Sequence, residues 1–134
     1  MTVRINRLKH TTIATLDLSD NHIQDPEIVP EVLAKMTELR VLYLKGNPVV
    51  RNIPNYRKTV IASLPELKYL DDRPVFEEDR RYAEAFVAGG LEGEREMRRI
   101  IKKEKEDYHT KQMQAFQRMM AEGKERKREL LRFF

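Results

Sequence analysis

The 134-residue chain has no cysteine, only five glycines and no long apolar run. Without cysteine there is no disulfide framework, no zinc–thiolate cluster and no thiol nucleophile. A membrane-spanning helix needs about 18 or more apolar residues in a row, and no such stretch occurs. Met1-Thr2-Val3-Arg4-Ile5-Asn6 lacks the hydrophobic segment of a secretory signal, which points to a reducing, intracellular setting. Charge of one sign is missing as well. The net charge of +4 is the small difference between 26 Lys/Arg and 22 Asp/Glu, mixed through both halves, so no single-sign basic stripe favours nucleic acid. Nor are the side chains of a catalytic centre gathered. His10, His22 and His109 are isolated, the acidic clusters alternate with bases, and the glycines match no phosphate-binding loop. The expectation is a protein without enzymatic activity, metal or cofactor.

What the sequence does contain is a repeat. Ile13-Ala-Thr-Leu16-Asp-Leu18-Ser-Asp-Asn21-His-Ile23 and Leu39-Arg-Val-Leu42-Tyr-Leu44-Lys-Gly-Asn47-Pro-Val49 align at each defining position of LxxLxLxxNxL, with a constant offset of 26 residues. Each LxxLxL reads as a short strand, and successive strands stack in parallel about 4.8 Å apart. Leu16, Leu18, Leu42 and Leu44 then point into a common core. Asn21 and Asn47 fall where the chain leaves each strand, and their amides can satisfy buried backbone groups of the turn, which makes them structural rather than catalytic. A return helix is expected from Pro30 to Met36, or one turn earlier with Asp25 as N-cap. A second is expected over Asn55 to Leu64, with Tyr56, Val60, Ile61 and Leu64 facing the core.

A third strand starts at Leu67-Lys-Tyr-Leu70, but Asp72 occupies the next inward position and Arg73-Pro74 ends the repeat. Glu77-Glu78-Asp79 is the acidic first turn of a new helix, and Tyr82, Phe86 and Val87 form an apolar face to cover the last repeat. The fold class is therefore α/β: a short leucine-rich-repeat solenoid with parallel strands, a C-terminal cap and a long helical extension. Residues 1–75 hold the repeats, the first incomplete; 76–90 form the cap helix, ended by Gly89-Gly90; 91–134 form a long charged helix. Ile5-Asn-Arg-Leu8-Lys-His reads as the tail of an earlier repeat with no strand. Two full repeats and a partial one fall short of the three or so needed for independent stability. The chain thus reads as a fragment or truncated relative of a longer solenoid, or as one whose open end another chain covers.

Gly46-Asn-Pro-Val-Val-Arg-Asn-Ile-Pro-Asn-Tyr-Arg-Lys58, followed by Leu67 to Phe76, Glu78-Asp79-Arg80-Arg81, Ala83-Glu84-Ala85 and Gly89-Gly90, resembles the end of the leucine-rich-repeat axonemal dynein assembly factor family. The resemblance covers roughly residues 12–95. The cap alone is shared with other repeat proteins, among them a spliceosomal subunit and a phosphatase regulator. The resemblance implies a protein-binding adaptor, cytoplasmic and ciliary, with axonemal dynein chains and chaperones as partners. An axonemal structural subunit and a nucleic-acid-associated subunit of spliceosomal type stay open as alternatives.

Residues alternating with the inward leucines face the concave side. Thr15, Val41 and Tyr69 are expected to form one lateral row, Asp17, Tyr43 and Asp71 the next, with Lys45 and Arg73 beside them. This is either a protein contact or an ordinary solvated face. On the long helix, Met97, Ile101, Tyr108, Met113, Phe116 and Met120 trace a gapped stripe; Ile101, Tyr108 and Phe116 are its candidate contacts. The gaps do not make a regular heptad seam.

Overall fold

The computed structural model describes residues 6–133, so the call on Ile5 in the N-terminal segment lies outside the described residues. The chain divides into two compact units, Met1–Met97 and Arg98–Phe134.

In the first unit a 3-10 turn, Arg7–His10, leads into β1 (Thr15–Asp17). After α1 (Ile28–Glu31) and a 3-10 turn, Leu33–Lys35, comes β2 (Val41–Tyr43). Then follow α2 (Val49–Asn52), α3 (Tyr56–Ser63), β3 (Tyr69–Leu70), β4 (Arg73–Pro74) and the start of α4 (Glu77–Leu131). The sheet runs in the order β1-β2-β3-β4. β1, β2 and β3 are parallel, with Leu16 beside Leu42 and Leu42 beside Leu70, so the 26-residue offset between the repeats is also the physical register. Alternation then does its work. Leu42, Leu44, Leu67 and Leu70 are fully buried, while Val41, Tyr43 and Tyr69 between them are half-exposed. Burying one such leucine is worth about 1.5–3 kcal/mol. Leu16 and Leu18 are only half-buried, because β1 is the outer strand and no further strand covers its free side among the described residues.

Several elements differ from the sequence expectation. The first return segment is not a helix from Pro30 to Met36. It is a single turn, Ile28–Glu31, followed by a 3-10 turn, since Pro30 removes a donor and Val32 adopts φ −122°, outside the helical region. The second return begins with an extra turn, α2, and α3 starts at Tyr56 behind a left-handed Asn55 (φ 51°). Val60, Ile61 and Leu64 are buried and Tyr56 is half-buried.

The largest surprise is the end of the repeat. Asp71 and Asp72 take positive φ, 45° and 67°, and reverse the chain so that Arg73–Pro74 returns antiparallel to Tyr69–Leu70. Two consecutive left-handed residues make the tight turn whose twist suits a hairpin, and aspartate tolerates that conformation better than most residues. Pro74 lies on the outer strand, where its missing N–H leaves no donor for another strand.

The cap also departs from expectation. Asp79 Oδ2 accepts the Phe76 N–H (3.0 Å), a capping-box contact that starts α4. Tyr82 and Phe86 are only half-buried and Val87 is 58% exposed, so Val87 is not a covering residue. Ala83 and Arg80 are the buried ones. At Gly90 the chain leaves helical geometry (φ 63°, ψ −152°), so the cap helix ends at Gly89-Gly90 as the glycines suggest, and a second helix begins directly behind this kink. The first unit extends past it to Met97. Gly93 explains how: a Cβ there would lie 2.5 Å from the Ala85 carbonyl oxygen, so the two arms approach backbone to backbone. At Gly89, by contrast, an added Cβ meets nothing within 4 Å.

Gly89→Ala is therefore expected to gain about 0.5–1 kcal/mol through helix propensity. Gly93→Ala should instead lose about 1–3 kcal/mol from overpacking. Chemical denaturation of the two variants reads the opposite signs.

Candidate functional site

The outward face of the sheet carries the expected row. Thr15 pairs with Val41 and Val41 with Tyr69, while Asp17 pairs with Tyr43. The parallel register thereby makes Tyr43 and Tyr69 diagonal neighbours on adjacent strands, with ring centroids 5.9 Å apart and tilted by 48°. Lys45 Nζ stands 5.8 Å from the Tyr43 ring centroid and 2.6 Å from Asp72 Oδ2. Partial desolvation, and then the neighbouring Tyr69, push the Tyr43 phenol above its ordinary pKa. The hydrogen bond to Asp72 raises Lys45, and the neighbouring Ser19, whose N–H donates to Oδ1 at 2.9 Å, lowers Asp17. The face thus offers two phenols flanked by a lysine and carboxylates. Such an amphipathic aromatic surface suits a protein contact.

Two expected members do not belong there in the way the alternation suggests. The left-handed turn swings Asp71 inward. Its Oδ1 accepts the Leu44 N–H (2.7 Å) and the Lys45 N–H (3.1 Å), and its Oδ2 accepts the Tyr56 hydroxyl. Asp71 is a brace across repeats and its carboxylate is not offered to a partner. Arg73 is exposed in β4, beyond the turn, and extends neither expected row. Asp72, not anticipated, takes the place beside Lys45.

Tyr56 gives the brace a pH signature. Burial, followed by the bond to Asp71, raises its phenol far above the ordinary value. A raised folded value means that the neutral form stabilises the fold fully below the unfolded pKa of about 10 and less as pH rises through the folded one. Tyr56→Phe is expected to flatten the alkaline limb of the Tm–pH curve above about pH 10 while lowering Tm at pH 7. A variant with an unchanged alkaline slope contradicts this assignment.

The repeat asparagines are bonded as their positions require. Asn47, 4% exposed, accepts the Ile23 N–H at Oδ1 (3.2 Å), and its Nδ2 donates to the carbonyls of Leu18 (2.8 Å) and Leu44 (2.7 Å). Asn21, in the outer repeat, is exposed and donates to the carbonyls of Leu18 (2.8 Å) and Ser19 (3.2 Å).

Two arginines escaped the sequence reading. Arg57 clamps the β3–β4 hairpin by donating to the Leu70 carbonyl (2.9 Å) and the Pro74 carbonyl (3.0 Å). Burial, then the nearby Arg73 charge, lower its pKa. Arg80 is buried and donates to the carbonyls of Ile61 (2.7 Å) and Leu67 (2.7 Å), pinning the cap onto the last repeat. Beyond the kink, Lys58 Nζ lies 2.8 Å from the buried Glu94 carboxylate and 4.5 Å from the Phe86 ring centroid.

On the extension, Tyr108 (67%) and Phe116 (51%) are exposed, whereas Ile101 is buried at 3%. The exposed stripe therefore begins after Ile101. Among the described residues no group of three or more His, Asp or Glu side chains can hold a metal ion, and no helix is long and apolar enough to cross a membrane.

Parallel LxxLxL strands braced by a buried repeat asparagine, with a helix pinned across the last of them, define a capped leucine-rich-repeat segment. No family model matches the chain. In sequence, however, it is a homologue of the axonemal dynein assembly factors. It is 51% identical over 111 residues to the leucine-rich repeat-containing protein ODA7 of Chlamydomonas reinhardtii, and 46% identical over 117 residues to dynein axonemal assembly factor 1 of Homo sapiens. These matches cover 83% and 87% of this chain, but it spans only 26% of the algal relative and 16% of the human one. A chain of the Drosophila melanogaster SNF/U2A′ complex is similar in structure, with a TM-score of 0.53 and 28% identity over 65% of this chain and 48% of that one.

Proposed function

We propose that the chain is a non-enzymatic protein-binding adaptor that serves the assembly of axonemal dynein, acting in the cytoplasm and cilium. The observation that carries the reading is sequence identity near one half to dynein axonemal assembly factors over more than four fifths of the chain. The sheet face supports it: a tyrosine pair beside a lysine–aspartate pair is a surface made for contact, with no reacting groups assembled on it. Dynein chains and chaperones are the partners this reading names.

Affinity purification of the full chain from ciliated cells tests it, with Tyr43→Ala/Tyr69→Ala as the comparison. Recovery of axonemal dynein heavy chains by the wild type, reduced at least about tenfold for the double variant, supports both role and face; a loss of 1–2 kcal/mol per aromatic contact gives that ratio. Equal recovery by both proteins removes the face from the proposal. Recovery of splicing components alone overturns the role.

A further inference from the structure

The division of the chain after Met97 uncovers a charge asymmetry that the sequence reading missed. Arg98–Phe134 holds 12 of the 26 Lys/Arg and only 6 of the 22 Asp/Glu, a net charge of +6, which leaves −2 for residues 1–97. The helix then sorts these charges by side. Its geometry is uninterrupted from Arg98 to Leu131, so at 3.6 residues per turn each position has a defined direction. Tyr108, Met113, Phe116, Met119 and Met120 fall within one arc of roughly 140°, and all five are between 45% and 67% exposed. Glu104, Glu106, Asp107, Glu122, Glu125 and Glu129 all fall outside it. Lys102, Lys105, Arg126 and Lys127 fall inside it. Between Lys105 and Arg126 the arc carries no Lys, Arg, Asp or Glu. The face is a strip of apolar side chains, shared with His109, Gln112 and Gly123 and closed at both ends by cations, about 33 Å apart from Lys105 to Lys127 at 1.5 Å per residue.

We infer that this face docks an acidic helical segment of another protein, one whose apolar seam is bracketed at both ends by Asp or Glu. The charge pattern excludes the other occupants. Two copies of the same face set Lys/Arg against Lys/Arg in either orientation, with no carboxylate on the arc to compensate, so self-pairing is repelled. A helix lying in a lipid surface keeps its cations at the rim of the apolar face, where they reach the headgroups. Here Lys105 and Lys127 stand in line with Phe116 at the middle of the arc, so sinking Phe116 into the acyl region carries both ammonium groups with it. A nucleic-acid duplex asks for basic residues along the whole contact, whereas the centre of this strip carries no Lys or Arg. An amphipathic helix with complementary ends satisfies both parts, by the helix-in-groove kind of packing. The inference stands independently of the dynein role and applies to whichever assembly the chain joins.

The test titrates the full 134-residue chain against a fluorescent synthetic helical peptide of about 22 residues, matching the strip at 1.5 Å per residue. The peptide has a Leu/Met seam with two glutamates at each end. Saturable binding that weakens at least about tenfold in Lys102→Glu/Lys127→Glu and in Phe116→Gln/Met120→Gln, with helicity by circular dichroism retained, is the expected result. A peptide with its glutamates moved to mid-seam should not bind. Absence of saturable binding by the wild type, equal binding by the variants, tighter partition onto phosphatidylserine vesicles or duplex DNA, or a dimer in sedimentation that Phe116→Gln/Met120→Gln dissolves would each overturn the inference.

Discussion

Arg80→Ala is expected to destabilise the first unit by about 3–5 kcal/mol, more than any other substitution of a charged residue in it. Arg80 is 8% exposed, and the two terminal nitrogens of its guanidinium each reach a backbone carbonyl at 2.7 Å. A hydrogen bond to a charged group is worth about 1.5–3 kcal/mol, and here removal also strips the Leu67 carbonyl of its donor beneath the cap and leaves the Ile61 carbonyl with only the long 3.4 Å bond from the Leu64 N–H. The planar fork is what spans Ile61 on the return helix and Leu67 ahead of β3. Arg80→Lys supplies a charge but a single nitrogen, so it should recover less than half of the loss. Urea denaturation followed by far-ultraviolet circular dichroism measures both. If Arg80→Lys matched the wild type, charge alone would hold the cap and the two-point span would be refuted.

Asn47→Ala is the second large effect, expected at about 2–4 kcal/mol from three bonds lost at a buried site. Its more informative partner is Asn47→Asp. The carboxylate keeps the acceptor for the Ile23 N–H but turns an oxygen toward the carbonyls of Leu18 and Leu44, where a donor stood. The aspartate variant should therefore be less stable than the alanine variant at pH 7. The gap should narrow as pH falls and the carboxyl takes up a proton, because the protonated form donates again. Paired denaturation curves at pH 7 and pH 4.5 give the comparison. Asn21→Ala, by contrast, should cost under about 1 kcal/mol, since water replaces its exposed bonds.

The parallel spine was legible because a 26-residue offset carries the same side-chain types to the same places, and stacking needs nothing more. Leu16, Leu42 and Leu70 do stand in one line. The tyrosine pair followed from the same alternation. What escaped has one physical character: contacts made by long or backbone-specific groups between segments far apart in sequence. Arg57 and Arg80 sit inside the runs that carried the family resemblance, yet nothing local reveals that each reaches two carbonyls. Asp71 obeyed the alternation in sequence and broke it in space, because a left-handed residue does not continue the pleat. Gly89-Gly90 carried a stop signal and the helix does break there, but the need for Gly93 arises only from Ala85 across the kink. On the extension, counting charges along the chain hid a segregation that counting around the helix displays.

Pro74 gives the sheet a direction. A strand approaching the β4 side meets a residue with no hydrogen to give, next to the Asp71-Asp72 turn, while among the described residues no strand pairs with the outer side of β1, where two leucines are half-covered. Lengthening of this array, whether by more repeats in the same polypeptide or by a strand lent from a neighbour, is thereby vectorial. It proceeds away from the cap, and each added strand meets the same ladder of leucines until something polar terminates it.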